Sequence, residues 1–353
     1  MSEGRRALAG LLAAAVTAGA QPAAVSVTPA VAAPVTPPEH RRGAEQTFLT
    51  FPEWFLVYSP AEYAAFVKHS PPSEFPFFGH LQQFWSSYRT VHDATRREYP
   101  VNFEYHVMIV VIGVSTTVEY ALRFVYEKLF GRVTELAVPY GTTDEDRLAA
   151  WVAQDYVDFI HDRPWYEYDF VDKLGRLWKD TPLFGSGLLR KWERRYALTT
   201  EYLAKAGYAW LLMRGSQAAY GMVAPVTVVH LDLLPRGIEG ELPHLAVLDR
   251  FSDGSVLVSL PRYDDFKDHA AALATRGASF REIAGNRTLI LVSALVPATW
   301  SPPARELSVL FGQPVLTQPG RKRVVLVVPV SSLAETLRGF RRGGHELEHV
   351  YDY

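Results

Sequence analysis

The sequence predicts an α+β protein in two halves, an aromatic-rich helical half over residues 47–215 and a ferredoxin-like α+β half over residues 216–353. Three observations predict it. Up to about residue 213, apolar residues recur at helical spacing, with caps and prolines at the ends of the runs. Beyond that point, short β-branched runs alternate with turn residues and only two helical segments. Within the second half, residues 257–283 and 325–350 share one order of strand, proline, helix, glycine, strand. Two such strand-helix-strand units imply a sheet covered by helices on one face.

The chain begins with an address. Every Trp, Tyr and Phe lies after Thr47, so the first segment has nothing with which to anchor a core. Arg5 and Arg6 precede the uncharged run Ala7 to Ala20, which ends in the small residues Ala18-Gly19-Ala20. A basic start, a short apolar stretch and a small-residue exit make residues 1–20 a signal peptide or membrane anchor. The arginine pair also matches part of the twin-arginine export pattern. Residues 21–46 carry Pro22, Pro29, Pro34, Pro37 and Pro38 among small residues and read as an extended Pro/Ala-rich linker. The expected location is therefore exported or membrane-anchored, outside the cytoplasm.

In the helical half, Pro52 to Tyr58 reads as a short apolar helix. Ser59-Pro60-Ala61-Glu62 then reads as a capping box that opens a new one. A helix over 78–98 stops before Pro100, with Leu81, Trp85, Tyr88 and His92 on one stripe. Residues 103–130 are apolar on every side from Val107 to Val114, and then carry Glu119, Arg123 and Glu127 at i, i+4 and i+8. This pattern predicts a buried central helix with a ladder of ion pairs along one edge. A membrane segment with Glu119 as a functional carboxylate is the sharper alternative, and a strand over 107–114 running into a helix is another. The unbroken apolar stretch is well short of the ~18 residues that spanning requires. Helices over 143–162, 171–179 and 188–213 complete this half, the last with Lys191, Arg194 and Arg195 beside Trp192 and Tyr196. The second half reads as strands at 226–233, 245–250 and 256–260, a helix at 264–275, and strands at 279–283, 288–296, 307–311 and 323–329. A helix at 331–342 and a final strand follow.

Composition excludes several functions. The chain has 353 residues with 36 basic and 38 acidic side chains, a net charge of −2. No cationic excess is present to track a phosphate backbone, so no nucleic-acid partner is expected. The absence of cysteine excludes disulfides, thiolate metal sites and cysteine nucleophiles. No phosphate-cradling glycine loop, dinucleotide fingerprint or serine elbow occurs, and Gly185-Ser186-Gly187 reads as a turn.

The candidate chemistry is sparse. His92, His106 and Glu119 are candidate catalytic residues, with His80 and Glu104 as further polar groups nearby. Trp85, Tyr88, Glu104 and Tyr120 are candidates to line a ligand pocket. Asp158 and His161, three apart on a helix, form half of a carboxylate-histidine metal motif. His345-Glu346-Leu347-Glu348-His349 matches the H-E-x-x-H zinc pattern, which requires a helix. Gly343-Gly344 and the internal parallel place it on a strand instead, with His345, Leu347 and His349 sharing one face. His345 and His349 are therefore read against, and no cofactor is assigned. The expected function is an exported cell-envelope protein whose helical half binds a small apolar or amphipathic ligand, or a membrane surface. A metal- or haem-dependent oxidoreductase and a non-catalytic partner subunit of an envelope complex are the alternatives. The oligomeric state is not assigned.

Overall fold

The computed structural model describes residues 33–43, 45–138, 142–161, 163–216, 226–302 and 308–352. The signal segment and residues 21–32 of the linker lie outside the described residues. The helices of the first half are α1 (Gln46–Val67), α2 (Phe77–Thr95), α3 (Phe103–Tyr126), α4 (Arg132–Glu135), α5 (Asp144–Ile160), α6 (Phe170–Lys179) and α7 (Leu188–Ser216). A π-helical turn at Glu127–Gly131 joins α3 to α4. The second half contains β1 (Val226–Leu231), β2 (Ala246–Arg250), β3 (Val256–Pro261), α8 (Asp264–Thr275) and β4 (Phe280–Ile283). It continues with β5 (Leu289–Pro297), β6 (Ser308–Pro314), β7 (Arg321–Pro329), α9 (Leu333–Arg342) and β8 (Glu346–Val350). The chain is thus a mixed α+β protein with two four-stranded antiparallel sheets.

The two sheets repeat one plan. Their strand orders are β2-β3-β1-β4 and β6-β7-β5-β8. In each, the third strand ends in a proline (Pro261, Pro329), a helix follows, and a glycine with positive φ precedes the last strand (Gly277 at 98°, Gly344 at 63°). Only glycine takes that backbone conformation without strain, so this turn recurs where the sequence repeats. Alternate residues of both sheets, such as Val229, Val258, Val292 and Leu326, close one core with α8 and α9.

The opposite face of the second sheet belongs to the helical half. Leu291, Val325, Val327 and Tyr351 share a core with Phe48, Phe51, Trp54 and Tyr58 of α1. Thr47 stitches the joint, accepting from the Leu291 amide at 2.9 Å and donating to the Tyr351 carbonyl at 3.0 Å. The end of the linker is docked as well. The Val35 and Thr36 amides donate to the fully buried Glu282 carboxylate at 3.2 and 2.8 Å.

Two local expectations are corrected. The segments on either side of Ser59 are one helix, α1, with Pro52 and Pro60 inside it. Ser59 and Glu62 cap nothing; their side chains are drawn into buried hydrogen bonds with distant partners, which outweigh the local cap. The second correction concerns α3. It is a peripheral helix, not a buried central one: among its residues only Ile109, Gly113 and Tyr120 are buried. Gly113 faces α2, where a side chain would run into the Phe84 ring.

Candidate functional site

The outer surface of α3 is the most unusual feature of the helical half. From Val107 through Val114, Val118, Leu122, Val125 and Leu129 to Val133 and Leu136, large apolar side chains stand exposed along one side. They recur every three or four residues, so they form one stripe. At 1.5 Å per residue that stripe is roughly 44 Å long. By length and composition the helix could cross a membrane, yet its other side is occupied by α1 and α2.

Helix α7 continues the pattern and explains it. Leu189, Trp192, Tyr196, Leu203, Trp210 and Leu211 are exposed along one face. The charges of its first turns point the other way. Arg190, Lys191, Arg194 and Arg195 are all buried. Arg190 bonds Asp146 at 2.9 Å and Glu193 at 3.1 Å, Lys191 bonds Glu145 at 3.0 Å, Arg194 bonds Glu127 at 2.8 Å, and Arg195 bonds Glu145 at 2.6 Å. Buried charges persist only when paired, and here the acids come from α5, the turn after α3 and, as Glu193, α7 itself. In this layer, charge lies inside and apolar surface outside.

The two long helices are joined by the acid-base edge seen in the sequence. Glu119 contacts Arg123 at 3.4 Å, as the i, i+4 spacing predicts. Two links run between helices, Lys205 to Glu119 at 3.0 Å and Arg123 to Glu201, and Lys205 also holds Glu201 within α7 at 2.9 Å. Glu127 pairs with Arg194 rather than Arg123. The spacing of Glu119, Arg123 and Glu127 revealed the edge but not its partners, which lie about 80 residues downstream.

The remaining candidates divide into separate pairs. Trp85 donates to Thr117 Oγ1 at 3.0 Å. The buried Tyr120 hydroxyl meets Ser59 Oγ at 2.7 Å, and Ser59 also meets His80 Nδ1 at 2.9 Å. Burial, reinforced by Arg323, holds His80 down to about 3, so its imidazole is neutral. Ser59, His80 and Glu62 resemble a nucleophile, base and acid, but all three are buried beneath α2 and α3, where no substrate reaches them. Tyr88 OH meets His106 Nδ1 at 3.1 Å, and the His106 ring centre lies 5.3 Å from that of His92. A cavity of about 10 Å³ adjoins these two histidines. Glu104 is exposed in the first turn of α3, fifteen residues from Glu119, and does not join it. Trp85, Tyr88 and Tyr120 thus turn to separate partners, and Glu104 to solvent.

The metal candidates are also dispersed. Asp158 accepts from Gln154 at 2.8 Å, while His161 contacts Asp264 of α8 at 3.4 Å. Asp158 borders an open, polar cleft of about 530 Å³ with Asp155, Tyr168, Asp169 and Lys173. Residues 346–349 of the H-E-x-x-H match lie on strand β8, with His345 just before it. The expectation that His345 and His349 share one face is corrected by a bulge: Ser293 pairs with His349 but Ala294 with Leu347, leaving Glu348 as the extra residue. His345 therefore lies against Trp300 and Phe340, and His349 stacks on Trp54 at 3.7 Å across the sheet. Among the described residues, no group of three or more His, Asp or Glu side chains is placed to hold a metal ion.

Sequence reasoning missed Arg323. It is buried, donates to Glu348 at 2.6 Å and to Glu62 at 3.0 Å, and lies 4.5 Å from the Tyr58 ring centre. Its only signal was a charge at an inward position of an otherwise apolar strand. Comparison of the chain with protein-family models, curated proteins and solved structures finds no match.

Proposed function

We propose that this is an exported cell-envelope protein whose helical half seats on a membrane surface through the apolar outer sides of α3 and α7. The observation that carries the reading is the inverted layer: paired charges inside, uncharged Val, Leu, Trp and Tyr outside. A contiguous exposed apolar surface of this extent marks an interaction site rather than ordinary surface. A lipid surface suits it better than an enclosed ligand, because the stripes are long and open. Tryptophans and tyrosines (Trp192, Tyr196, Trp210) stand among the leucines of α7, as they do where rings meet lipid headgroups. The seating is in-plane. The stripe on α3 exceeds the ~30 Å hydrocarbon thickness, and only one side of the helix is free of protein.

In this reading the α+β half stands beside the bilayer, held by α1. We read it as two ferredoxin-like units. From the β4 and β8 edges the strand orders run fourth, first, third, second, as in a ferredoxin-like sheet, and among the described residues each unit carries the second of that fold's two helices without the first.

Flotation with phosphatidylethanolamine/phosphatidylglycerol vesicles tests the reading, using the chain from Gln21 so that the signal segment contributes nothing. The wild type should float. A Val118→Glu/Leu203→Glu variant should stay at the bottom with an unchanged melting temperature. A wild type that does not float overturns the proposal, as does a variant that floats equally well. A soluble dimer dissolved by the same substitutions would favour the partner-subunit reading.

A further inference from the structure

We propose that residues 182–189, which lead from α6 into α7, are the part of the membrane seat that enters the lipid. The inference rests on the membrane reading and adds to it which segment penetrates, and how far. From Pro182 to Leu189 the chain runs Pro-Leu-Phe-Gly-Ser-Gly-Leu-Leu, without a charge and with Ser186 as its one polar side chain. Leu183, Phe184, Leu188 and Leu189 are all exposed, Phe184 by 74%. An exposed apolar cluster of this kind marks an interaction site.

The segment is held from behind. Arg195 donates to the Thr181 and Pro182 carbonyls at 3.0 and 3.2 Å, and the Thr181 hydroxyl donates to the Leu177 carbonyl at 2.6 Å. On the α7 side, Arg190 donates to the Gly131 carbonyl and to Thr134 Oγ1, each at 3.2 Å. Gly185 and Gly187 have φ of 143° and 69°, which turns the chain sharply between Phe184 and Leu188. No atom lies within 4 Å of where a side chain on Gly185 would stand, so the turn projects clear of the protein. Side chains fixed in this way lose little freedom on contact.

Position and composition identify the partner as lipid. A side chain on Gly187 would run into Val138, just beyond α4, so the turn lies where the α3 stripe ends in Val133 and Leu136. Leu189 begins the α7 stripe. The turn is thus the end shared by both stripes and continues the same surface. A protein partner is fixed in register by polar contacts, and Ser186 is the one side chain here that offers any. A bilayer needs none. Backbone outside regular structure is not left bare in hydrocarbon, so penetration is shallow. The backbone stays among headgroups while Leu183, Phe184 and Leu188 reach the acyl boundary.

The chain has no cysteine, so single labels can be placed. Phe184→Cys and Leu188→Cys, each carrying an NBD fluorophore, are mixed with phosphatidylethanolamine/phosphatidylglycerol vesicles, with Ser252→Cys in the β2–β3 turn as control. The first two should shift to the blue, and a nitroxide near the headgroup should quench them more than one near the chain end. The control should do neither. Phe184→Ser/Leu188→Ser should weaken vesicle partitioning about tenfold or more, with an unchanged melting temperature. A wild type that does not float overturns the seat itself. A wild type that floats while both labels stay in water, or while the double-serine variant partitions equally, overturns this inference and leaves the seat on α3 and α7.

Discussion

Single residues in the α1–sheet joint decide how the protein responds to acid. Burial holds His80 and His349 both at about 3, well below the usual imidazole value. A histidine depressed in this way binds fewer protons folded than unfolded. Its stabilising contribution is complete above about pH 6.5 and is lost as the pH falls toward 3, at up to ~1.4 kcal/mol per pH unit for each group. Asp352 works in the opposite sense. Burial raises it to about 6, so its contribution is present below about pH 4 and lost as the pH rises through 6. Burial also raises Glu53 and Glu62 of the same joint, which act in the sense of Asp352, so the histidine contribution is read from a variant. His349→Phe isolates one term. Both ring nitrogens of His349 lack hydrogen-bond partners and its ring stacks on Trp54, so phenylalanine keeps the stack and discards only the titration. The variant should be more stable than wild type at pH 5, with a shallower pH slope in urea denaturation. An unchanged slope would show that His349 is protonated in the folded state. Arg323 carries a larger penalty. Removing it leaves Glu62 and Glu348 facing each other in the interior, so Arg323→Ala should cost ~3–5 kcal/mol by denaturant titration.

At the scale of elements, the contrast between the two sides of α3 yields a paired expectation. Ile109 faces the core beneath α1, and Ile109→Ala should cost ~2–5 kcal/mol. Val118→Glu, on the open side, should leave stability within ~0.5 kcal/mol while abolishing vesicle flotation. Thermal melts of the two variants, set beside flotation, check both statements. The same contrast shows what the sequence could and could not convey. Periodicity and caps located the longer helices from α2 onward to within a few residues, because Thr143 with Asp146 and the stop before Pro100 are local signals, whereas the four-residue α4 was not anticipated. The strands were equally legible, and so was the duplicated strand-proline-helix-glycine-strand order. What was not legible was which side of a helix meets protein. The run from Val107 to Val114 looks buried because apolar surface ordinarily is, and nothing local in α3 says that its outer side is left open. The ions of α7 make the same point. Nothing local to Arg190, Lys191, Arg194 and Arg195 says that α5 supplies Asp144, Glu145 and Asp146 to pair with them in the interior. Glu104 and Glu119 lie fifteen residues apart on α3, an axial rise of roughly 22 Å, so the polar candidates of this helix are spread along its length.

The whole molecule is divided by composition but not by its cores. Helices occupy 46–216 and strands 226–350, yet α1 closes the outer face of the second sheet, and Thr47 bonds both Leu291 and Tyr351. The buried pairing of Arg323 with Glu62 crosses the same joint. Residues 226–352 without α1 would expose Leu291, Val325, Val327 and Tyr351 together with an Arg323–Glu348 pair deprived of Glu62. Each large side chain so exposed forfeits ~1.5–3 kcal/mol of burial, and four of them rival the ~5–15 kcal/mol by which an entire domain is stable. The α+β half should therefore fail to fold alone despite its own core between α8, α9 and both sheets. Calorimetry of residues 33–353 should show one cooperative transition, whereas the fragment 226–353 should show no near-ultraviolet circular dichroism and should bind a hydrophobic dye. Supplying residues 33–216 in trans should restore the signal, because the joint is a surface contact that needs no peptide link to form. A fragment 226–353 that melts cooperatively by itself would instead make α1 an added lid on an independent domain.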